Sequence, residues 1–320
     1  TGHFTNEAAA WGTNITHKGK GASVADFNDD GWLDSYITSA GPPGGSSGVA
    51  GAHVLWKNMG NETMSNVAGT AGVNFTTSGS GDGTGSAWGD IELDGDLDLF
   101  VAGFKNNNLG SRLFRNNGDE TFTDITNIID FWGSTPISVS AFAPVFADMD
   151  GDDYPDLCIA SDFGTMRYFK NQADGTFRDV TVSANIAEAE NGMGGHVKDF
   201  NNDGKRDWYV TSIYLPAANW TGNKLHINAS TGPGDHDFTE IAASVGIDDG
   251  GYGWGTVGVD FNHDTIIDIA ETNGDSSASG TFANERSYLW MQQANGQYLE
   301  QSAVSGLNHL MRGRGMINLD

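Results

Sequence analysis

Cysteine, basic residues and long apolar runs are all scarce in this sequence. Cys158 is the single cysteine among 320 residues, so an intrachain disulfide is excluded. No apolar run approaches the ~18 residues that a membrane span needs. We therefore expect a chain without a transmembrane segment, whose fold is held together by something other than disulfide bonds.

The charge is strongly one-sided. Sixteen lysines and arginines stand against 42 aspartates and glutamates, which gives a formal net charge of -26 and an isoelectric point near 4.3. Such an acidic surface argues against nucleic acid and anionic membranes as partners. The 9 Trp, 17 Phe and 8 Tyr can build a sizeable core, and 45 glycines without a collagen-like period indicate many turns and closely packed strands.

A nine-residue acidic motif recurs five times along the chain. Its copies are "DFNDDGWLD", "DIELDGDLD", "DMDGDDYPD", "DFNNDGKRD" and "DFNHDTIID", which begin at Asp26, Asp90, Asp148, Asp199 and Asp260. Successive copies are 51 to 64 residues apart, and a glycine or alanine stands five positions before each one: Gly21, Gly85, Ala143, Gly194 and Gly255. By this register Asp320 opens a sixth copy. The interval predicts a repeat architecture.

Each repeat contains four short β-strand patterns. In the first, "GKGASVAD" leads into the acidic motif, "LDSYITSA" leaves it, and "HVLWKNMG" and "ETMSNVAG" follow. No segment is long enough for a convincing helix. Four strands per repeat predict an all-β fold, a β-propeller of four-stranded blades. The alternative, a β-solenoid, would need shorter coils of roughly 20 to 30 residues.

The prediction is a single propeller domain over residues 1–320. Its blade repeats are placed at approximately 14–70, 80–128, 137–184, 190–245 and 251–305. Residues 3–10 resemble a fourth strand and residues 311–320 a first strand, so they are assigned to one shared closing blade. The chain then holds five complete blades and parts of at least one more, in a ring of six or seven. The remaining strands would come from a longer chain or from a neighbouring one.

The acidic motif has the composition of a cation-binding loop. In D-x-[DN]-x-[DN]-G-x-x-D, the side chains at positions 1, 3, 5 and 9 and the carbonyl at position 7 can converge on one hard cation. All-oxygen ligands disfavour zinc and copper, and Mg²⁺ demands stricter octahedral geometry, so we expect about five Ca²⁺ per chain. The predicted ligands, loop by loop, are Asp26, Asn28, Asp30, Trp32 and Asp34; Asp90, Glu92, Asp94, Asp96 and Asp98; Asp148, Asp150, Asp152, Tyr154 and Asp156; Asp199, Asn201, Asp203, Lys205 and Asp207; and Asp260, Asn262, Asp264, Ile266 and Asp268.

Position 6 of the loop is expected to need a positive φ, which glycine adopts without strain. Asp153 and Thr265 replace glycine there in the third and fifth loops. A β-branched threonine adopts the left-handed region poorly, so the fifth site is predicted to be the weakest. A single such motif could equally be a solvated polar turn, but five copies in register favour metal binding.

A second candidate site lies on the predicted first strands. Lys18, Lys20, Arg312 and Arg314 occupy equivalent places in the first and last repeats and would approach each other if the ring closes. With Tyr252 and Trp254 as stacking surfaces, they would form a mouth on the axis that binds an acidic or sulfated glycan. The alternative is that these bases only offset the neighbouring acidic loops.

Three quoted stretches carry a family resemblance: "GASVADFNDDGWLDSYIT", "LWKNMGNETMSNVAGTAGV" and "LFRNNGDETFTDITNII". They resemble FG-GAP/VCBS-repeat calcium-binding propellers, and especially the family of cartilage acidic protein and the ASPIC/UnbV proteins. The resemblance implies a secreted, extracellular or periplasmic propeller linked to adhesion, matrix or surface recognition. Because such scaffolds host unrelated activities, the resemblance defines the fold better than the function.

Three functional hypotheses follow. The leading one is a non-catalytic, calcium-stabilised extracellular module for adhesion or for recognition of a glycan or protein. The second is a subunit of an extracellular assembly, whose last blade is completed by strand addition from a neighbouring chain. The third is a propeller polysaccharide lyase or hydrolase. The first hypothesis predicts no enzymatic activity.

Overall fold

The structure is a computed structural model that describes residues 4–39, 52–74, 83–104, 111–128, 139–186, 190–274, 280–282, 285–310 and 312–317. The chain divides into two compact units, Thr1–Ile129 and Asp130–Asp320. Each unit is built mainly from four-stranded antiparallel sheets, in which consecutive strands are hydrogen-bonded neighbours except where a two-stranded hairpin is inserted in one of them.

The first unit contains two such sheets. The first sheet has β1 (Gly19–Ala25), β2 (Asp34–Ser39), β3 (Val54–Asn58) and β4 (Met64–Asn66), and the short helix α1 (Ala68–Ala71) follows it. The second sheet has β5 (Gly83–Gly89), β6 (Asp98–Gly103), β7 (Arg112–Asn116) and β8 (Phe122–Asp124), followed by a 3₁₀ turn at Thr126–Ile128.

The second unit contains three sheets. The third sheet of the chain has β9 (Ser140–Ala147), β10 (Asp156–Asp162), β11 (Arg167–Asn171) and β12 (Phe177–Asp179). The fourth has β13 (Gly194–Lys198) and β14 (Asp207–Thr211), then an inserted hairpin of β15 (Tyr214–Leu215) and β16 (Trp220–Thr221), then β17 (Lys224–Asn228), β18 (Phe238–Glu240) and helix α2 (Ala242–Val245). The fifth has β19 (Gly253–Val259), β20 (Asp268–Asn273), β21 (Tyr288–Gln292), β22 (Tyr298–Glu300) and helix α3 (Ser302–Ser305). A 3₁₀ turn at Pro216–Ala218 closes the hairpin.

The predicted all-β class and the four-stranded repeat are confirmed, and the sheets are consistent with propeller-like blades. Ring closure, the number of blades and the assignment of residues 1–320 to one domain stay predictions. The described helices have only four residues each, and they lie after the fourth strand of the first, fourth and fifth sheets.

The glycine five positions before the acidic motif, which Ala143 replaces in the third repeat, permits close approach of neighbouring first strands. A Cβ at Gly21 of β1 would overlap the carbonyl oxygen of Thr84 in β5, and one at Gly194 of β13 would overlap that of Trp254 in β19. Only glycine leaves room for this contact without a shift of the main chain. The sequence register therefore has a packing cause.

The N-terminal segment carries no strand among its described residues. Residues 3–10 were expected to form a fourth strand, but residues 8–12 form turns, in which the N–H of Trp11 donates to the carbonyl of Glu7 at 2.9 Å. The run of alanines favours such local hydrogen bonds over an extended chain. The segment still meets the first sheet, because the N–H of Met64 donates to the carbonyl of Trp11 at 2.9 Å.

The C-terminal segment likewise carries no assigned strand over residues 312–317. A Cβ at Gly255 of β19 would nevertheless lie 2.9 Å from the carbonyl oxygen of Arg314 and 2.7 Å from the main-chain nitrogen of Met316. This segment therefore approaches β19 as the first strand of a next repeat would. Whether residues 311–320 and 3–10 share one closing blade stays a prediction.

Apolar side chains from adjacent sheets form the cores of the two units. One core cluster joins the first and second sheets, and the others join the third to the fourth and the fourth to the fifth. Their largest fully buried members include Tyr36, Leu99, Tyr168, Trp208 and Tyr209. Sheet-to-sheet packing positions the acidic loops, all of which join a first strand to a second.

Candidate metal centre in the acidic loops

The aspartate at position 9 starts the second strand of each sheet and is buried. In the second loop, Asp98 accepts the N–H of Ile91 at 3.1 Å with Oδ2 and the N–H of Asn116, at the end of β7, at 2.8 Å with Oδ1. The same two contacts, to position 2 and to the last residue of the third strand, recur at Asp34, Asp156, Asp207 and Asp268. The sequence predicted these residues only as ligands, and the structure adds that they fasten each loop to its third strand.

Burial sets the acidity of these aspartates. It raises the pKa of Asp98 and Asp156 to about 7 and that of Asp207 to about 6, against the opposing effect of the backbone hydrogen bonds. Burial raises the pKa of Asp34 and Asp268 in the same direction. A cation nearby would favour the ionised form of every one of them.

The aspartate at position 1 closes the turn of the loop. Asp90 accepts the N–H of Asp94 at 3.0 Å and the N–H of Gly95 at 2.9 Å. Asp26, Asp199 and Asp260 make the same pair of contacts, and Asp148 also accepts the N–H of Gly151. The aspartate at position 5 then accepts the N–H of position 7, the residues being Trp32, Asp96, Tyr154, Lys205 and Ile266.

The expected positive φ at position 6 is confirmed in all five loops. It is 85°, 96° and 85° at Gly31, Gly95 and Gly204, and 75° and 73° at Asp153 and Thr265. Position 4 is also left-handed, with φ between 55° and 73°, which the sequence analysis did not predict; its residues are Asp29, Leu93, Gly151, Asn202 and His263. Asn, Asp and Gly adopt this region most readily, and three of the five positions carry them.

Two observations test whether the loops fit a cation. In the third loop, the carboxylate oxygens of Asp148, Asp150 and Asp152 all lie within 4.8 Å of one another. In the first loop, Oδ1 of Asn28 is buried and has no hydrogen-bond partner among the described residues. Converging carboxylates and an unpaired amide oxygen are the hard donors that Ca²⁺ uses. The side chains at positions 1, 3 and 5 therefore fit Ca²⁺, which would supply the positive charge that balances the carboxylates.

The third loop differs because a lysine already reaches it. The ammonium of Lys170, on β11, forms ion pairs with Asp150 and, at 2.8 Å, with Asp152. Lys170 and Asp150 are only 9% and 3% exposed. Burial, with the charge of Arg178 nearby, lowers the pKa of Lys170. The lysine partly neutralises two carboxylates that the sequence assigns to the third metal site.

The same position of the third strand separates the repeats into two classes. It carries a base in the first three sheets and an apolar residue in the last two: Lys57, Arg115, Lys170, Ile227 and Met291. Arg115 lies 3.7 Å from Glu92 at position 3 of the second loop, and Lys57 pairs with Glu120. The fourth and fifth loops therefore receive no base from their own third strands.

The asparagines that end the third strands are functional residues that the sequence analysis missed. Asn116 donates from Nδ2 to the carbonyl of Phe27, in the loop of the neighbouring sheet, at 2.8 Å, and Asn228 donates to that of Met149 at 2.7 Å. These bonds tie the first and third loops to the next sheet. The signal was available as the recurrent asparagine in "LWKN", "LFRN", "YFKN" and "LHIN".

The comparisons with known families agree with this geometry. Residues 90–159 and 148–210 match the family described as the FG-GAP-like repeat. Each matched stretch begins at the first aspartate of an acidic loop and ends on the second strand of the next sheet. The match covers residues 90–210, which is less than half of the chain. The finer resemblance to cartilage acidic protein and the ASPIC/UnbV proteins stays a prediction.

Among solved structures, this chain is similar to the V. cholerae biofilm matrix protein Bap1, with 11% sequence identity and a TM-score of 0.47. The similarity covers 88% of this chain and 39% of that chain, so the present chain corresponds to well under half of the Bap1 chain. No curated protein matches the sequence. In the described part of the chain, no helix combines the length and apolarity that crossing a membrane requires.

The second predicted site is distributed over both units. Lys18 and Lys20 are exposed in the first unit, where Lys20 lies 5.6 Å from the ring of Phe104. In the second unit, Arg312 is exposed and the guanidinium of Arg314 lies 4.1 Å from the ring of Trp254. The approach of the two lysines to the two arginines stays a prediction.

Trp254 is half-buried among other side chains, and the half-buried Tyr252 lines a cleft. The ring of Trp254 stacks on Tyr252 at 5.8 Å, and the edge-on ring of Phe142 lies 5.6 Å away. Its Nε1–H donates to the carbonyl of Gly274 at 3.0 Å. Arg314 and Tyr252 therefore already provide Trp254 with stacking partners.

Proposed function

We propose that this chain is a calcium-stabilised, non-catalytic recognition module of an extracellular protein, which binds a glycan or a protein. The observation that carries the proposal is the recurrence of one loop geometry in five sheets, in which the aspartate at position 1 accepts the N–H of position 5. Positions 3 and 5 carry oxygen-bearing side chains in every copy. A repeat that retains this donor set five times is best explained by a shared metal requirement.

Calcium and an extracellular location support each other. Nearly half of the 42 acidic residues lie in these loops, so their mutual repulsion opposes folding until a cation is bound. Calcium sites of extracellular modules work at roughly 10⁻⁴ to 10⁻³ M, which matches the medium outside cells rather than the cytoplasm. With one cysteine and no possible intrachain disulfide, bound ions would take over the stapling role.

The proposal favours binding over catalysis because the groups that recur are the hard oxygen donors that a calcium site would use. The carboxylates of the aspartates at positions 1 and 9 accept hydrogen bonds from main-chain N–H groups. These bonds hold the loops in place, so the carboxylates have a structural role rather than that of a reactive group. Rigid sheets that present irregular connections are typical of recognition modules. Assembly by strand addition and a polysaccharide lyase or hydrolase remain the alternatives.

The test is a calcium titration of the whole chain followed by thermal unfolding. At 100 times the Kd, each bound ion stabilises the fold by about 2.7 kcal/mol, so added Ca²⁺ raises the melting temperature and EDTA lowers it. Equal Mg²⁺ is expected to stabilise less. The number of ions bound is measured on the same samples by elemental analysis after dialysis.

The first loop offers a matched pair of variants. Asp30→Asn removes the charge of a predicted ligand, whereas Asp29→Asn removes one charge from the adjacent position 4, which has no predicted ligand role. We expect only Asp30→Asn to weaken the calcium response. A melting curve that excess EDTA leaves unchanged, together with a protein free of bound metal, refutes the proposal.

A further inference from the structure

The second unit has a cleft at the strand ends that are remote from its acidic loops. The cleft has a volume of about 520 Å³ and is lined by Asp162, Phe163, Gly164, Glu190, Asn191, Ile213, Trp220 and Tyr252. Asp162 ends β10, whose other end begins at the third loop, and Tyr252 precedes β19, which runs toward the fifth loop. A larger cleft of about 890 Å³ lies instead among the third and fourth loops and belongs to the metal centre.

One wall of the 520 Å³ cleft is the feature that breaks the four-strand repeat. The hairpin of β15 and β16 is inserted only in the fourth sheet of the described chain, and it contributes Trp220. Such insertions in a repeat architecture commonly form the binding face. The hairpin also positions the carboxylate of Glu190, which is a hydrogen-bond acceptor, because the hydroxyl of Thr221 donates to it at 3.1 Å.

Asn191 supplies an unpaired donor. The residue is 6% exposed, and its Nδ2 has no hydrogen-bond partner in the described part of the chain. A buried amide without a partner destabilises the fold, and this cost is recovered when a ligand oxygen accepts from it. Asn191 lies beside Asp162, with which its main chain forms an isolated antiparallel bridge.

Aromatic side chains provide the apolar surface. Phe163 is 66% exposed, and Trp220 is half-buried. The ring of Tyr252, also half-buried, stacks on Trp254 at 5.8 Å and meets the ring of Phe282 edge-on at 5.3 Å. Ligand pockets combine such apolar faces with a few polar groups that fix orientation, and their volumes run from about 300 to 1,000 Å³. The cleft therefore has the size and the composition of a small-ligand site.

We propose that this cleft binds a neutral sugar ring of a glycan. A pyranose has apolar C–H faces for Phe163, Trp220 and Tyr252, and hydroxyl groups that donate to the carboxylates of Asp162 and Glu190. The ring and hydroxyl oxygens also accept from Asn191 Nδ2, which no other described group satisfies.

Two other ligand classes match the cleft less well. An acidic sugar would place its carboxylate or sulfate beside Asp162 and Glu190, and no lysine or arginine is among the described residues that line the cleft. A quaternary ammonium would suit the aromatic rings and the carboxylates. It offers no acceptor to Asn191, however, so the buried amide would stay unpaired.

This inference rests on the proposed recognition role, and its test uses the same full chain in saturating Ca²⁺. Neutral oligosaccharides of glucose, galactose, mannose and N-acetylglucosamine are screened by glycan array, and each hit is measured by calorimetric titration. We expect Phe163→Ala and Trp220→Ala to lower affinity about tenfold or more. Phe4→Ala, which removes a phenylalanine that is 98% exposed in the first unit, is the matched control and should have no effect.

Asn191→Leu separates a binding role from a structural one. Leucine has nearly the same size and cannot donate, so we expect weaker sugar binding with unchanged or higher stability. Binding that is stronger for sulfated or uronate glycans overturns the proposal, as does tetramethylammonium binding without sugar binding. If no neutral glycan binds while Ca²⁺ still stabilises the protein, the sugar site is refuted and the calcium proposal stands.

Discussion

Glu271 allows a quantitative prediction about stability and pH. It is fully buried on β20, where the other four second strands carry Ile37, Val101, Ile159 and Val210 at the equivalent place. Its carboxylate accepts hydrogen bonds from the Tyr209 hydroxyl at 2.8 Å, from Asn223 Nδ2 at 2.9 Å and from Trp290 Nε1 at 3.3 Å. The group joins the fourth sheet to the fifth.

Burial decides the acidity of Glu271. It raises the pKa to about 8, although the three hydrogen bonds lower it, and the negative charge of Glu285 adds to the increase. Because the folded-state pKa exceeds the unfolded value, the contribution of this group to stability is complete below about pH 4.5 and is lost as the pH rises toward 8. Between pH 5 and 7 the loss amounts to about 2.5 kcal/mol.

Glu271→Gln removes the titration while it keeps the size of the side chain. Between pH 5 and 7, the free energy of unfolding of the variant should fall by about 2.5 kcal/mol less than that of the unchanged protein. Glu7→Gln, at an exposed site in the first unit, controls for the loss of one negative charge. The measurement is denaturant unfolding at several pH values in saturating calcium, with the slope m checked for constancy. Parallel stability curves for the Glu271→Gln protein and the unchanged protein would show that Glu271 does not titrate in this range.

Two further variants test the loops and the packing of first strands. Lys170→Met removes the ammonium that pairs with Asp150 and Asp152 and gives the third sheet the residue type of Met291 in the fifth. Calcium titration should then show tighter binding at the third loop, with Lys57→Met as the control. Weaker binding would mean that the lysine supports the site. Gly194→Ala places a Cβ against the carbonyl of Trp254 and should cost about 1 to 3 kcal/mol in denaturant unfolding. Gly232→Ala, whose Cβ meets nothing within 4 Å, should be nearly neutral, and equal effects of the two changes would contradict the packing argument.

The repeat itself could be predicted from the sequence because its signals are local. Alternating apolar residues, a glycine or alanine five positions before each motif and the spacing of aspartates all act within a few neighbouring residues. The positive φ at position 6 followed from the geometry of the turn in the same way. Strand order within each sheet then required only that consecutive strands pair.

The contacts between repeats could not be predicted in this way. Nothing near Asn116 in the sequence indicates that its amide reaches the carbonyl of Phe27, 89 positions away. The cleft with Asn191 likewise depends on β10, the inserted hairpin and Tyr252, which lie far apart along the chain. The N-terminal strand failed for a related reason, since local hydrogen bonds at Trp11 replaced the expected sheet pairing.

The loops keep one geometry despite different residues because main-chain N–H groups define it. In the fifth loop, Asp260 accepts the N–H of Asp264 at 3.0 Å and that of Thr265 at 2.8 Å, the same contacts that glycine makes elsewhere. A left-handed conformation costs a residue other than glycine about 1 to 2 kcal/mol. The hydrogen bonds of the fifth loop must therefore offset the strain at Thr265. A loop whose main-chain hydrogen bonds tolerate threonine at position 6 also tolerates substitutions in the sheet that carries it. The inserted hairpin and Glu271 each alter one repeat of the second unit, and such departures from a repeat are where individual function is expected to lie.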